Sequence, residues 1–313
     1  DRRQRQMCIR DSPYSVLLAL TTILTTALIV LVPYRSYATY LKFLGLALLT
    51  YVVSAFTVHV DWGRALVSTL EPHFQWNRDF ILTLIAVFGV TISPYEFFWQ
   101  ADEEVEELRS THPAGWASES RPQTTHGAIS FLRHDTAFGM FFSNAITFFV
   151  IVTAAATLNS HGFTNVQSAA QAAQVLRPLA GPFTFLLFAL GIVSSGLLAI
   201  PVMAGSSAYA MGGAFNWSRT LSKPFWAEPR FYGVIVASCA IGLLVNLLHV
   251  PPFKLLYYAA ILNGIISPVL LFMVTQIAGN RAIMKEFTNS RLSNVMGWTL
   301  CGFMTLALVA LFI

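Results

Sequence analysis

The sequence predicts an all-α polytopic membrane protein, and three observations carry that prediction. Of 313 residues, 55% are hydrophobic and only 11% charged, with a mean hydropathy of +0.61, whereas soluble domains carry about 25% charged residues. Apolar runs long enough to cross a bilayer recur from one end of the chain to the other. No stretch has the composition of a second, soluble domain, so residues 14–313 read as a single transmembrane domain behind a polar tail, residues 1–13. The net charge of +4 is modest and falls mostly in loops. It points to the lipid bilayer as the partner and not to nucleic acid, and no protein partner is evident. Three cysteines make no disulfide framework. Cys8 lies in the tail, and Cys239 and Cys301, in apolar spans, read as small core residues.

Hydropathy gives eight spans, at about Tyr14–Val32, Tyr40–Val60, Phe80–Glu107, Thr136–Leu158, Pro182–Met211, Phe231–Leu248, Phe253–Ile277 and Val295–Ile313. The third is broken. Its apolar part, Phe80–Ile92, reaches only about 20 Å, against a hydrocarbon core of about 30 Å. Ser93, Pro94 and Tyr95 follow, and then Glu96. Pro94 has no N–H and clashes with the preceding turn. The sequence therefore predicts two helices, Phe80–Ile92 and Glu96–Arg109, separated by non-helical backbone at Ser93–Tyr95. Backbone groups freed at membrane depth must be buried in protein or face water. A half-helix, a break and an acid opening the next half-helix are the parts of a transporter's central site. The fifth span is long and is expected to be interrupted at Pro201, amid small residues suited to close helix packing. Val166–Leu179 reads as a short surface helix, and Ser110–Ser130 as a flexible connector.

Glu96 is the one acid well inside a span, which makes it a functional candidate. It stands at a helix N-terminus, where the dipole favours negative charge; the plainer reading is a neutral or capping group. Glu96, Gln100, Glu103 and Glu107 share a helix face by spacing and would line a polar pathway for a cation or proton. Against that, Asp102–Glu107 reads as a solvated helix end, the favoured reading for Glu104, Glu106 and Glu107 and an even one for Glu103. Asn144 and Asn246 are expected to bond between helices. Asn263, before Gly264 and Pro268, is the best ligand candidate among the asparagines. His134 and Asp135 read as a helix cap or a proton-handling pair, with the cap favoured. No histidine pair has metal-ligand spacing, and no nucleophile elbow, phosphate-binding glycine loop or redox CxxC is present, so no enzyme motif stands behind the chain.

Arg35, Lys42, Arg109, Arg121, Arg133, Arg219, Lys223, Arg230, Arg281, Lys285 and Arg291 fall in alternate loops, against Arg64, Arg78, Arg177 and Lys254 in the others. The positive-inside rule places the larger set in the cytoplasm. The arginine-rich Asp1–Asp11 would then lie outside. It fits no signal peptide and is expected to be non-native, or to follow an odd number of missing spans.

At GVTISPYEFFWQADEEVEE the chain resembles the Nramp family of divalent-metal transporters, within it a bacterial branch with an ISPYxFFWQ sixth helix; LLAIPVMAGSSAYAMGGAFNW and RFYGVIVAS support this. The resemblance runs from about Tyr14 to the C-terminus. It implies a LeuT-type fold, two inverted repeats of five helices that each open with a broken helix, plus a further helix. The eight spans would be helices four to eleven of eleven, with the first three missing and with them the family's Asp-Pro-Gly-Asn metal site. It also implies alternating-access transport of a divalent cation such as Mn, Fe or Mg in a bacterial inner membrane, with possible proton coupling and no bound cofactor. The family's sixth helix reads Ala-x-x-Met-Pro-His, and the matching positions are Val90, Ser93, Pro94 and Tyr95. The Val90 carbonyl remains available as a ligand. A hydroxyl at Ser93 replaces the thioether, and Tyr95 replaces the histidine tied to proton movement. Oxygen ligands suit harder ions than thioethers do. The implied metal-site residues are thus Val90, Ser93, Tyr95, Glu96 and Asn263, with Gln100 and Glu103 on the pathway. A carrier of a small organic solute such as an amino acid, with Glu96 binding a coupling ion, is the alternative; a membrane scaffold without transport is the third.

Overall fold

The computed structural model describes residues 2–32, 41, 43–71, 74–111, 125–159, 162, 166, 168–248 and 250–311. Every regular element among them is helical. In chain order these are α1 Arg2–Leu31, α2 Leu49–Thr57, α3 Trp62–Leu70, α4 Arg78–Ile92, α5 Pro94–Thr111, α6 His126–Thr157, α7 Ala169–Ala214, α8 Pro229–Leu247, α9 Pro252–Gly279, α10 Arg281–Met284 and α11 Arg291–Ala310. Among the described residues six stretches are long and apolar enough to cross a membrane: Arg78–Leu108, His126–Thr157, Gly181–Ala214, Pro229–Leu247, Pro252–Gly279 and Arg291–Ala310. The expected first and second spans differ from the rest. Val16–Leu31 is a shorter apolar helix, and the second breaks after Thr57, turning by 113° into Trp62–Leu70. Val58 is extended there, and Asp61 accepts the Arg64 N–H at 3.0 Å to start α3.

Prolines decide where the long helices break. Ser93, before Pro94, takes left-handed angles (φ 44°, ψ 63°), and Gly181, before Pro182, takes φ 88°. The break in the third span is narrower than Ser93–Tyr95. Only Ser93 leaves the helix, because proline is preset for the first position of a helix and α5 restarts at Pro94 with Tyr95 helical. The expected interruption at Pro201 is absent: α7 runs through it, and its kink lies at Gly181. Ile200, which precedes Pro201, is β-branched and barred from positive φ, so the helix absorbs the proline. The surface helix expected at Val166–Leu179 is the part of α7 from Ala169 to that kink, capped by Ser168, whose hydroxyl accepts the Gln171 N–H at 3.2 Å. Within the connector expected at Ser110–Ser130, α5 extends to Thr111 and α6 begins at His126; residues 112–124 lie outside the described residues. Thr125 caps α6, accepting from Ala128 N–H. His134, expected as a cap, sits inside α6 with Nδ1 at 2.7 Å from the Ser130 carbonyl.

The chain forms two contact units, residues 1–65 with 95–251 and residues 66–94 with 252–313. In the first, Ile29 of α1, Ala204, Ala208 and Tyr209 of α7, and Phe231 and Ile235 of α8 form one buried cluster. A second cluster joins Tyr51 of α2, Ile146 of α6 and Phe188 of α7, with Thr57 and Thr184 hydroxyls 2.9 Å apart beside it. In the second unit α4 crosses α9 at two glycines. A Cβ on Gly89 would strike the Ala260 carbonyl and the Gly264 N, and one on Gly264 would strike the Ile85 carbonyl. Small residues that let backbones touch are how apolar helices associate in lipid. Phe88 packs edge-on to Phe303, and Phe272 to Trp298, with centroids at 5.3 and 5.4 Å, which seats α11 on the pair.

Gly89→Ala and Gly264→Ala should each cost on the order of 1–3 kcal/mol of stability, since backbone cannot swing aside. Gly233→Ala in α8, where a Cβ meets nothing within 4 Å, should cost nothing. Heat-denaturation midpoints in one detergent compare the three; equal midpoints would contradict the glycine crossing.

Candidate functional site

The break at Ser93 brings two candidate ligands together. Asn77 starts α4 by accepting the Phe80 N–H at 2.8 Å, and α4 ends where the Ser93 N–H donates to the Gly89 carbonyl at 3.1 Å. The Ser93 hydroxyl donates to the Val90 carbonyl in a short hydrogen bond. Ser93 is 8% exposed, and the Val90 side chain is 60% exposed. The two oxygens named from sequence are thus hydrogen-bonded to each other, and each keeps acceptor lone pairs outside that bond. Asn263 is half-buried on α9, one residue before the Gly264 crossing, and its carbonyl accepts from the Ser267 hydroxyl at 2.7 Å. Tyr95 is half-buried in the first turn of α5, and Glu96 is exposed beside it.

Further along α5 the polar residues diverge. The Gln100 side chain donates to the Thr136 hydroxyl of α6 at 3.3 Å. Glu103 accepts from the Tyr209 hydroxyl of α7 at 3.2 Å. Glu107 is exposed. The helix end expected to be solvated is instead tied to α7 and to the connection that follows it. Tyr209 also reaches Glu106 at 2.9 Å, the Leu221 N–H donates to Glu106 at 3.2 Å, and the Ser222 hydroxyl donates to it at 2.7 Å. Asp102 pairs with the Arg219 Nε at 3.0 Å. Below them, Trp99 lies edge-on to the Tyr209 ring at 5.5 Å and fills the space a side chain at Gly205 would take. Beside the network, the Ser218 hydroxyl above all, and then Lys223, hold the Glu228 carboxyl below its ordinary range despite the cost of its burial.

Glu106 and Tyr209 are therefore the polar residues sequence reasoning missed. Tyr209 is buried near the end of α7, where a hydroxyl needs a partner, and the five acids of Asp102–Glu107 offered one. Asn144, expected to bond between helices, donates to Met140 of its own helix at 2.8 Å. Among the described residues no group of three or more His, Cys, Asp or Glu is arranged to hold a metal ion.

Tyr209→Phe removes one hydroxyl donor from two carboxylates and leaves the ring contacts with Trp99 and Phe231 in place. It should cost about 1–3 kcal/mol, whereas Ser207→Ala, at an exposed position whose hydroxyl bonds the Met203 carbonyl of its own helix, should stay within about 0.5 kcal/mol. Thermal unfolding of the two variants decides it, and a neutral Tyr209→Phe would show the network to be slack.

Comparison with known proteins agrees with the architecture. The family model described as natural resistance-associated macrophage protein-like, Nramp, matches residues 6–313. Relatives named divalent metal cation transporter MntH include one from Caldanaerobacter subterraneus, 22% identical over 82% of this chain and 56% of its own length. One from Ralstonia nicotianae is 23% identical over 84% and 58%, and one from Mycobacterium tuberculosis 24% over 82% and 55%. The chain spans somewhat more than half the length of these relatives. A multi-span membrane chain whose regular elements are helical among the described residues, matched from residue 6 to residue 313, belongs to the Nramp family.

Proposed function

We propose that the protein is a secondary transporter, not an enzyme, that moves divalent metal cations across a bacterial inner membrane by alternating access. The observation that carries this reading is the break at Ser93. It is a one-residue interruption at membrane depth that presents the Val90 carbonyl and the Ser93 hydroxyl together, in a chain whose relatives are named for divalent-cation transport. A cation entering between them replaces the hydroxyl proton as the carbonyl's partner and leaves both oxygens as ligands. The other residues of this reading are Tyr95 and Glu96, which follow the break in the sequence, and Asn263 of α9. Gln100 and Glu103 continue the polar path along α5. No cofactor is required.

Both oxygens at the break are hard ligands, and soft thioethers are what favour Mn²⁺ or Cd²⁺ over Mg²⁺. The wild-type protein should discriminate poorly against Mg²⁺ and Ca²⁺, and Ser93→Met should shift preference toward Mn²⁺ and Cd²⁺. Uptake by the intact protein in proteoliposomes measures both. Strong Cd²⁺ preference in the wild type, unchanged by Ser93→Met, would show that Ser93 does not face the ion.

The basic loops set the orientation in this reading, with the 215–228 connection in the cytoplasm. A single cysteine at Ala227, an exposed position, should resist impermeant thiol reagents in intact cells and react after permeabilisation. Labelling in intact cells would invert the topology.

A further inference from the structure

The ion pairs among the described residues are Asp102–Arg219 and Lys223–Glu228. Arg281, Lys285 and Arg291 take part in neither. All three are exposed, and all belong to the connection from α9 to α11, inside the second contact unit. Glu286 is the one acid in residues 280–291. The connection is folded back on itself. The Asn280 side chain caps α10 by accepting the Ala282 N–H at 2.9 Å, and the Lys285 N–H donates to the Arg281 carbonyl. The Asn289 N–H returns to the Ala278 carbonyl of α9 at 3.0 Å, and Ser290 caps α11 through the Ser293 N–H at 3.1 Å. The start of α11, with Arg291, is thus brought to the end of α9, where Arg281 begins α10. Lys285 closes α10 at φ 51°, a conformation glycine takes without strain, and the position carries an ammonium group instead.

Apolar side chains are exposed beside these cations. Ile283, between Arg281 and Lys285, is 58% exposed, Leu292, next to Arg291, 70%, and Met296, one turn further on, 64%. Leu292 and Met296 lie in the first turns of a stretch long and apolar enough to cross the membrane. Arg291 opens that stretch, at the level where a bilayer carries its headgroups.

We propose that the 280–291 connection binds an anionic lipid. Arg281, Lys285 and Arg291 take its phosphate, and its acyl chains lie along Leu292 and Met296. Charge selects the headgroup: a basic cluster at the end of a span attracts anionic lipid, whereas a zwitterionic headgroup brings its own cation to the same place. The apolar side chains select a lipid over a free anion, because they continue the membrane-facing side of α11. The proposal rests on the membrane placement of α11 and not on the transport reading.

The test uses the intact protein in neutral detergent, titrated with phosphatidylglycerol or phosphatidylcholine, with the first bound lipid counted by native mass spectrometry. Phosphatidylglycerol should bind about tenfold or more tighter than phosphatidylcholine. Arg281→Gln, Lys285→Gln and Arg291→Gln should each weaken phosphatidylglycerol roughly fivefold and leave phosphatidylcholine unchanged. Lys285→Arg, which keeps the charge, should keep the affinity. Arg133→Gln, at an exposed position of α6, should change neither lipid. Equal binding of the two lipids overturns the site. So does a loss in Arg133→Gln as large as in Arg291→Gln, which would reflect surface charge at large, or a loss in Lys285→Arg as large as in Lys285→Gln, which would reflect the backbone. Displacement of phosphatidylglycerol by inorganic phosphate at equal concentration would make the occupant a free anion and overturn the lipid.

Discussion

A proline inside an apolar helix removes a backbone donor where no water can take its place, and the backbone of the residue before it records whether the helix breaks. At Gly181 and Ser93 that residue reaches positive φ, and the helix breaks. At Ile200 it cannot, and α7 continues. At Ser267 the helix also continues, with the Ser267 hydroxyl bonded back to Asn263. Ser93 is the costly case, since a non-glycine residue in the left-handed region is disfavoured by about 1–2 kcal/mol. Its N–H and hydroxyl recover part of this through Gly89 and Val90. The Gly89–Gly264 crossing one turn earlier fixes the backbone that accepts both bonds. The site proposed for the cation is thus a consequence of one dipeptide and two glycines.

Most of the architecture was legible because the signals are one-dimensional. Length and hydropathy set the spans, Pro94 set the break, and the ISPYEFFWQ segment carried the family. What stayed hidden depends on three dimensions. Pro94 and Pro201 look alike in the sequence, and the preceding residue alone does not separate break from continuation, since Pro268 follows a serine as Pro94 does and lies inside a continuous helix. Asp102–Glu107 looks like a solvated helix end because composition does not say what lies opposite. Arg219, Ser222 and the Leu221 N–H are more than a hundred residues away, and Tyr209 was masked by the small residues around it. Asn144 went the other way: its own helix offered a carbonyl at 2.8 Å, so it needed no neighbour.

On the proposed reading, the hydrogen bond between Ser93 and Val90 sets how tightly a cation can be held. The Ser93 hydroxyl and the Val90 carbonyl are partners of each other within the chain. A cation that displaces that bond loses about 0.5–1.5 kcal/mol net, whereas one that meets the remaining lone pairs of the two oxygens keeps it. A thioether at the same position could make no such bond of comparable strength, and the Val90 carbonyl would stand open to the ion. The hydroxyl therefore changes two things together: the hardness of the ligand set, and the resting state of the site. Transport needs a site that empties as readily as it fills, and an internal partner that recaptures the carbonyl once the ion leaves serves that end.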